Sequence, residues 1–229
     1  MTFRVVSGIL RSLDNRFGLS SYLNRIEDWW FDSTRSVQTR GKERTLSAAR
    51  VVGEIRDSLP YIPIRIANGR RALRDLPLED HSQYTFIDIG SGKGRMLFIA
   101  AEFPFHQIRG VEFVSDLHAQ AQENVRRYRY FRQKCTDIAS IHENAESFDF
   151  PSQNLVLCIF NPFGPEVLDR MLKNLRHAID KDPRHHVIIL LIWPVQSQLV
   201  AQMEGIAIYK KTRRHHIYQI GKPPRSEPR

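Results

Sequence analysis

The sequence predicts an α/β fold, a doubly wound, mostly parallel sheet of seven strands preceded by a helical extension. Two observations carry the prediction. From about residue 80, short apolar runs alternate with longer amphipathic stretches, the pattern of a parallel sheet covered on both faces. One of those runs ends in three alternating glycines just before a helical stretch, which places a ligand crevice at the carboxyl ends of the strands.

Thr85–Ile89, Ile108–Val114, Ile138–His142, Leu155–Phe160 and Val187–Trp193 read as strands, because each is short, rich in Ile, Val, Leu or Phe and bounded by Gly, Pro, Asp or Asn. Ala207 to Ile220 reads as two further strands around a basic turn. The spacing predicts helices over Arg95–Glu102, Leu117–Phe131 and Pro165–Ile179; in the last, Val167, Leu168, Met171, Leu172, Leu175 and Ile179 share one face. Residues before 80 are Arg-rich and helix-like, broken at Gly18, Gly41, Pro60 and Pro63. The organisation expected is a helical extension or cover over 1–80, a catalytic domain over 81–222 and a basic tail over 223–229.

Composition bounds the function loosely. The longest apolar run, Val187 to Val195, is too short to cross a bilayer, and the first residues lack a secretory pattern. Cys135 and Cys158 have no metal-ligand spacing, and Cys158 sits in an apolar run that suits core packing. A cytoplasmic protein without a metal is the expectation. The formal charge of +9 favours an anionic partner such as nucleic acid, a membrane surface or an acidic protein.

The chemistry concentrates in Phe86-Ile87-Asp88-Ile89-Gly90-Ser91-Gly92-Lys93-Gly94-Arg95. Gly90, Gly92 and Gly94 let the backbone turn tightly and approach a ligand, and the amides of Ser91 and its neighbours open towards it at a helix start. A plain turn is the structural alternative. The spacing is Gly-x-Gly-x-Gly rather than the Gly-x-Gly-x-x-Gly of dinucleotide folds. Asp88 would repel a diphosphate there and welcome a ligand ammonium. Glu112 follows 24 residues after Asp88 at the tip of the second strand, where an acid can accept from ribose hydroxyls. Phe113 either packs on an adenine face or serves the core.

These two runs resemble the first two motifs of class I S-adenosylmethionine-dependent methyltransferases, over residues of about 84 to 220. The resemblance implies S-adenosyl-L-methionine as cofactor and an adenine contact after the third strand, where Asn144-Ala145 stands in place of a frequent Asp-Ala. Asn161-Pro162-Phe163, after the fourth strand, is similar to the Asn/Asp-Pro-Pro-Tyr/Phe motif of methyltransferases acting on amino nitrogens, with Phe163 in place of the second proline. It implies that Asn161 orients the nucleophile and touches the cofactor, Pro162 stiffens the loop, and Phe163 stacks on a planar or cationic acceptor. A proline turn capping the next helix is the alternative.

The stretch Phe31 to Gly41 resembles a segment of little-characterised bacterial methyltransferases that carry Gly-Val-Asp-Thr where this chain has Ser36-Val37-Gln38-Thr39. That likeness implies a cover over the cofactor, to which Tyr61-Ile62-Pro63 belongs, and places Trp193-Pro194 on the acceptor side. Trp29 and Trp30 read as large buried anchors. The acceptor expected is a protein lysine or other amine first and a nucleic-acid amino group second, with small molecules open. A noncatalytic RNA- or membrane-associated module on the same frame is the competing class. A nicotinamide-dependent reductase lacks its Tyr-x-x-x-Lys set.

Two basic clusters add to this. Arg126 to Lys134 mixes arginine with aromatics, a composition suited to RNA backbone and base stacking, but the aromatics also fit one buried helix face, which the spacing favours. Lys210 to His216 either positions an anionic acceptor or charges a sheet edge against pairing. His185-His186 and His215-His216 have no ligand frame, so no metal is assigned.

Overall fold

A computed structural model describes residues 19–41, 61–160 and 163–224 of the chain. Among the described residues two helices lead, α1 (Leu19–Arg35) and α2 (Ile66–Arg74). The alternating part follows as β1 (Thr85–Ile89), α3 (Arg95–Ala100), β2 (Gln107–Glu112), α4 (Ser115–Arg127), β3 (Ile138–His142), β4 (Leu155–Ile159), α5 (Pro165–Lys181), β5 (Val187–Ile192), α6 (Ser197–Ala201), β6 (Ala207–Lys211) and β7 (His215–Ile220).

The seven strands form one sheet in the order β3-β2-β1-β4-β5-β7-β6. Neighbours from β3 to β5 are parallel, and β7 runs antiparallel between β5 and β6. The order reverses direction between β1 and β4, the switch point that opens a crevice at the strand ends. Every residue of β1, β4 and β5 is buried, which is why those three read as continuous apolar runs rather than alternating ones.

Side chains nevertheless alternate between two cores. Phe86, Ile108, Val156, Ile188 and Ile217 face one layer, with α2, α3 and Phe31 of α1 packed there. Ile87, Val111, Leu157, Ile189 and Tyr218 face the other, against the buried stripe of α5: Leu168, Met171, Leu172, Leu175 and Ile179. The edge strand β6 is mostly exposed and carries Lys210 and Lys211, charges that discourage pairing with another chain.

Three expectations change. The fourth helix ends at Arg127, not Phe131, because Tyr128 leaves helical geometry (φ −53°, ψ 123°) to stack on Phe98 at 4.7 Å between ring centroids. The arginine-aromatic cluster therefore does not form one helix face. Tyr128 is core, Tyr130 lies under the Arg35 guanidinium at 3.5 Å, and Phe131 is exposed. Next, α3 stops at Ala100, and Glu102 turns back to accept from Arg35 (2.7 Å) and, bidentately, from Arg70 (2.8 and 2.7 Å). Burial pushes the Glu102 carboxyl up, yet the two guanidiniums hold it below its ordinary value. Finally, Trp29 and Trp30 are not buried: they are 55% and 49% exposed, because α1 turns Phe31, Asp32 and Arg35 inward instead. No described helix is long and apolar enough to cross a membrane.

Candidate active site

The glycine loop leaves β1 and is braced against β2. Gly90 N and Ser91 N both donate to Val111 O (2.9 and 3.1 Å), and Gly94 N donates to Ser91 O (2.9 Å). Gly90, Gly92 and Gly94 all adopt left-handed backbone, with φ of 72°, 55° and 85°. Two positions show why a side chain is excluded. A Cβ on Gly92 would lie 2.3 Å from the Tyr61 ring, and one on Gly110 of β2 would lie 2.7 Å from Ser91 Oγ. Gly94 precedes α3 as its N-cap and does not line the hollow.

Two acids floor the loop. Parallel register sets Asp88 beside Gly110 on one side and Cys158 on the other. Burial raises the Asp88 carboxyl to about 8, opposed by a hydrogen bond from the Cys158 thiol and reinforced by the Glu112 charge. Glu112 accepts from Gly92 N (2.7 Å) and Val114 N (2.8 Å). Burial pushes its carboxyl up, and those amides pull against it. Each carboxylate oxygen keeps a second lone pair, so the amide contacts leave acceptor capacity for a sugar hydroxyl.

The N-terminal segment forms the facing wall. At the end of α1, Asp32 accepts from Thr39 N (2.9 Å), Thr39 Oγ1 (2.7 Å) and Arg40 N (3.1 Å), folding residues 36–40 into a tight hook. Ser36 sits at φ 57° in that hook, the left-handed position after a helix that glycine favours. The hook is fastened to the glycine loop. Arg95, only 2% exposed, donates to Thr39 Oγ1 (2.7 Å), to Ile64 O (3.2 Å) and to Asp28. Asn124 of α4 accepts from Gln38 N (2.8 Å) and donates to Lys93 O (2.9 Å). Tyr61 Oη donates to Thr39 O (2.8 Å). Arg95, Asn124 and Asp28 were not singled out from sequence. An arginine opening an otherwise apolar helix start was the available signal, since a buried guanidinium demands partners.

Together these walls enclose a hollow of about 1320 Å³ at the carboxyl ends of the strands. Of the sequence-derived candidates, Asp88, Gly90, Ser91, Gly92, Glu112, Phe113, Asn144, Ala145 and Phe163 all line it, and Asn161 and Pro162 lie outside the described residues. Phe113 is partly exposed. Asn144 Oδ1 accepts from Glu146 N (3.0 Å) in a local turn, which leaves its amide group as donor. Phe163 packs against the α5 core, and Gln196 Nε2 donates to its carbonyl (3.1 Å). The helix-capping alternative is realised beside it, with Gly164 as N-cap and Pro165 in the first turn of α5. Trp193, 65% exposed, stands at the rim.

The residues fit a cationic nucleoside donor. Two buried acids complement positive charge, and Ser91 Oγ is buried without a hydrogen-bond partner. No group of His, Cys, Asp and Glu among the described residues has a metal-holding arrangement.

Comparison with known proteins agrees with this geometry. Residues 87–181 match the family described as a methyltransferase domain. No curated protein matches the chain. Among solved structures, a predicted N6-adenine-specific DNA methylase from Listeria monocytogenes is similar at 14% identity and TM-score 0.51, over 70% of this chain and 52% of that one. A mitomycin 7-O-methyltransferase is similar at 13% identity and TM-score 0.50, over 69% of this chain and 54% of that one. An RNA methyltransferase from Salinibacter ruber, in complex with S-adenosyl-L-homocysteine, is similar at 16% identity and TM-score 0.48, over 72% of this chain and 97% of that one. The chain thus spans about half the length of the first two. Residues 87–181 thus match a methyltransferase domain, set on the seven-stranded, mostly parallel, Rossmann-like sheet of the class I methyltransferase fold.

Proposed function

We propose that this enzyme methylates a nitrogen, with Asp88, Gly90, Ser91, Gly92 and Glu112 holding the donor and the loop after β4 presenting the acceptor. The observation that carries this is the single hollow that joins an acid-floored glycine loop to a rim edged by Phe163 and Trp193. Asp88 faces the donor's ammonium and Glu112 its ribose, while the amides of Gly90, Ser91, Gly92 and Gly94 are spent on bracing the loop. Phe113, Asn144 and Ala145 border the adenine.

When bound, the donor supplies an electrophilic sulfonium methyl. A nitrogen lone pair would take that methyl as the C–S bond breaks, leaving the sulfur as a neutral thioether, and the proton lost from nitrogen would pass to solvent. The protein's task is alignment and exclusion of water. Asn161 accepts from the acceptor's N–H groups and aims the lone pair, Pro162 stiffens that loop, and Phe163 packs on the acceptor. Residues 1–80 act as the cover, 81–222 as the catalytic domain and 223–229 as a basic tail. The two unpaired cysteines fit a cytoplasmic location.

A protein amine is the acceptor the sequence pattern favours, and the charge of the rim supports a nucleic-acid amino group as the second reading. Calorimetry on the full chain should show S-adenosyl-L-homocysteine binding in the micromolar range. Methyl label transferred into cell extract should then disappear on protease or nuclease digestion, according to acceptor. Absence of binding by the intact chain refutes the donor assignment.

A further inference from the structure

The rim of the hollow has a charge and a shape that donor binding does not use. Trp193 is a bulky residue in left-handed backbone (φ 54°), a conformation that persists only when its surroundings enforce it. Its N–H donates to Arg214 O (2.8 Å), and its carbonyl accepts from Val195 N (2.7 Å). The strained turn holds the indole out at the mouth, 65% exposed.

Three guanidiniums share that mouth: Arg65, the residue before α2, and Arg213 and Arg214 in the β6–β7 turn. Arg214 donates to the neutral Oδ1 of Asn68 (3.0 Å). The side chains of Arg65 and Arg213 meet no acidic group among the described residues. Other cations nearby are compensated: Arg95 by Asp28, Arg170 by Glu146 and Lys210 by Asp75. The acids lining the hollow belong to α1 and to the β1–β3 side, so its two ends differ in charge.

We propose that the acceptor is a nucleotide of single-stranded nucleic acid, whose base enters past Trp193 while the adjoining phosphates lie on Arg65, Arg213 and Arg214. This rests on the donor reading above. Three guanidiniums, on two elements around an exposed ring, match a chain that alternates phosphates with planar bases. The +9 formal charge draws such a polyanion in. Single strands suit a deep hollow, because a paired base must first be unstacked to enter.

The test uses the full chain saturated with S-adenosyl-L-homocysteine. Fluorescence anisotropy follows labelled single-stranded RNA and DNA of mixed sequence, with an Asp/Glu-rich peptide of equal charge as competitor. The Arg213→Gln/Arg214→Gln variant should reduce the slope of log affinity against log salt by about 1.4, roughly 0.7 for each lost phosphate contact. Trp193→Ala should weaken binding about tenfold, the scale of one stacked base, with the slope unchanged. Calorimetry should give wild-type affinity for S-adenosyl-L-homocysteine in both variants. Oligonucleotide binding that ignores these substitutions, or a peptide that binds more tightly through the same arginines, overturns the acceptor assignment alone. Failure of the wild type to bind S-adenosyl-L-homocysteine removes the donor reading and this one with it.

Discussion

Replacing Asp88 by Asn should stabilise the donor-free protein at alkaline pH and cripple its affinity for the donor. Asp88 is 4% exposed, and its carboxyl is raised from 3.8 to about 8, chiefly by burial. Because the folded pKa lies above the unfolded one, the fold favours the protonated acid. That contribution is complete below about pH 4 and is lost as pH rises towards 8. At ~1.4 kcal/mol per unit, the loss across the window amounts to about 6 kcal/mol. Asn has the same shape, still accepts from the Cys158 thiol, and does not ionise. The stability difference between Asp88→Asn and wild type should therefore grow by several kcal/mol from pH 4 to pH 9, then level off. Urea unfolding at a series of pH values measures it, and taking the difference cancels groups common to both proteins. Donor affinity should move the opposite way. Losing a charge-assisted hydrogen bond to the ammonium costs about 1.5–3 kcal/mol, or roughly ten- to a hundredfold in the S-adenosyl-L-homocysteine dissociation constant at pH 8. A flat stability difference across the pH range would refute the burial argument, and unchanged affinity would refute the ammonium contact.

Gly92→Ala should weaken donor binding by at least about tenfold, because the new Cβ would sit 2.3 Å from the Tyr61 ring and left-handed alanine costs ~1–2 kcal/mol; calorimetry reads this directly. Asn161→Ala should lower turnover on the order of a hundredfold, the scale of one lost oriented polar group, with a far smaller change in donor affinity. Single-turnover kinetics separates the two effects. Ser36→Gly should raise stability by ~1 kcal/mol by relieving φ 57° after α1, seen as a higher urea midpoint with an unchanged slope.

Strand content and order of elements were legible in the sequence because β1, β4 and β5 are buried on both faces and so read as unbroken apolar runs. The glycine loop was legible because three left-handed positions in five residues leave glycine little competition. Asp88 and Glu112 stood out as acids in apolar company. Long-range partnership was not legible. That Arg95 reaches Thr39, 56 positions away, and Asn124 reaches Gln38, 86 away, depends on how α1 is laid across the sheet. Local pattern also misled at Tyr128, whose spacing fits a helix face although its ring is needed against Phe98. Trp29 and Trp30 misled similarly, since size alone says nothing about which side of α1 faces inward.

Arg95 has its partners at positions 28, 39 and 64, all before the change of composition near residue 80. Shortening the chain to the sheet-forming portion would strip a buried cation of its counter-charge and leave Asn124 with unmet donors and acceptors beside the donor hollow. The described part of the leading segment, residues 19–41 and 61–80, is thus packed as one unit with the sheet, and a study of catalysis has to include it.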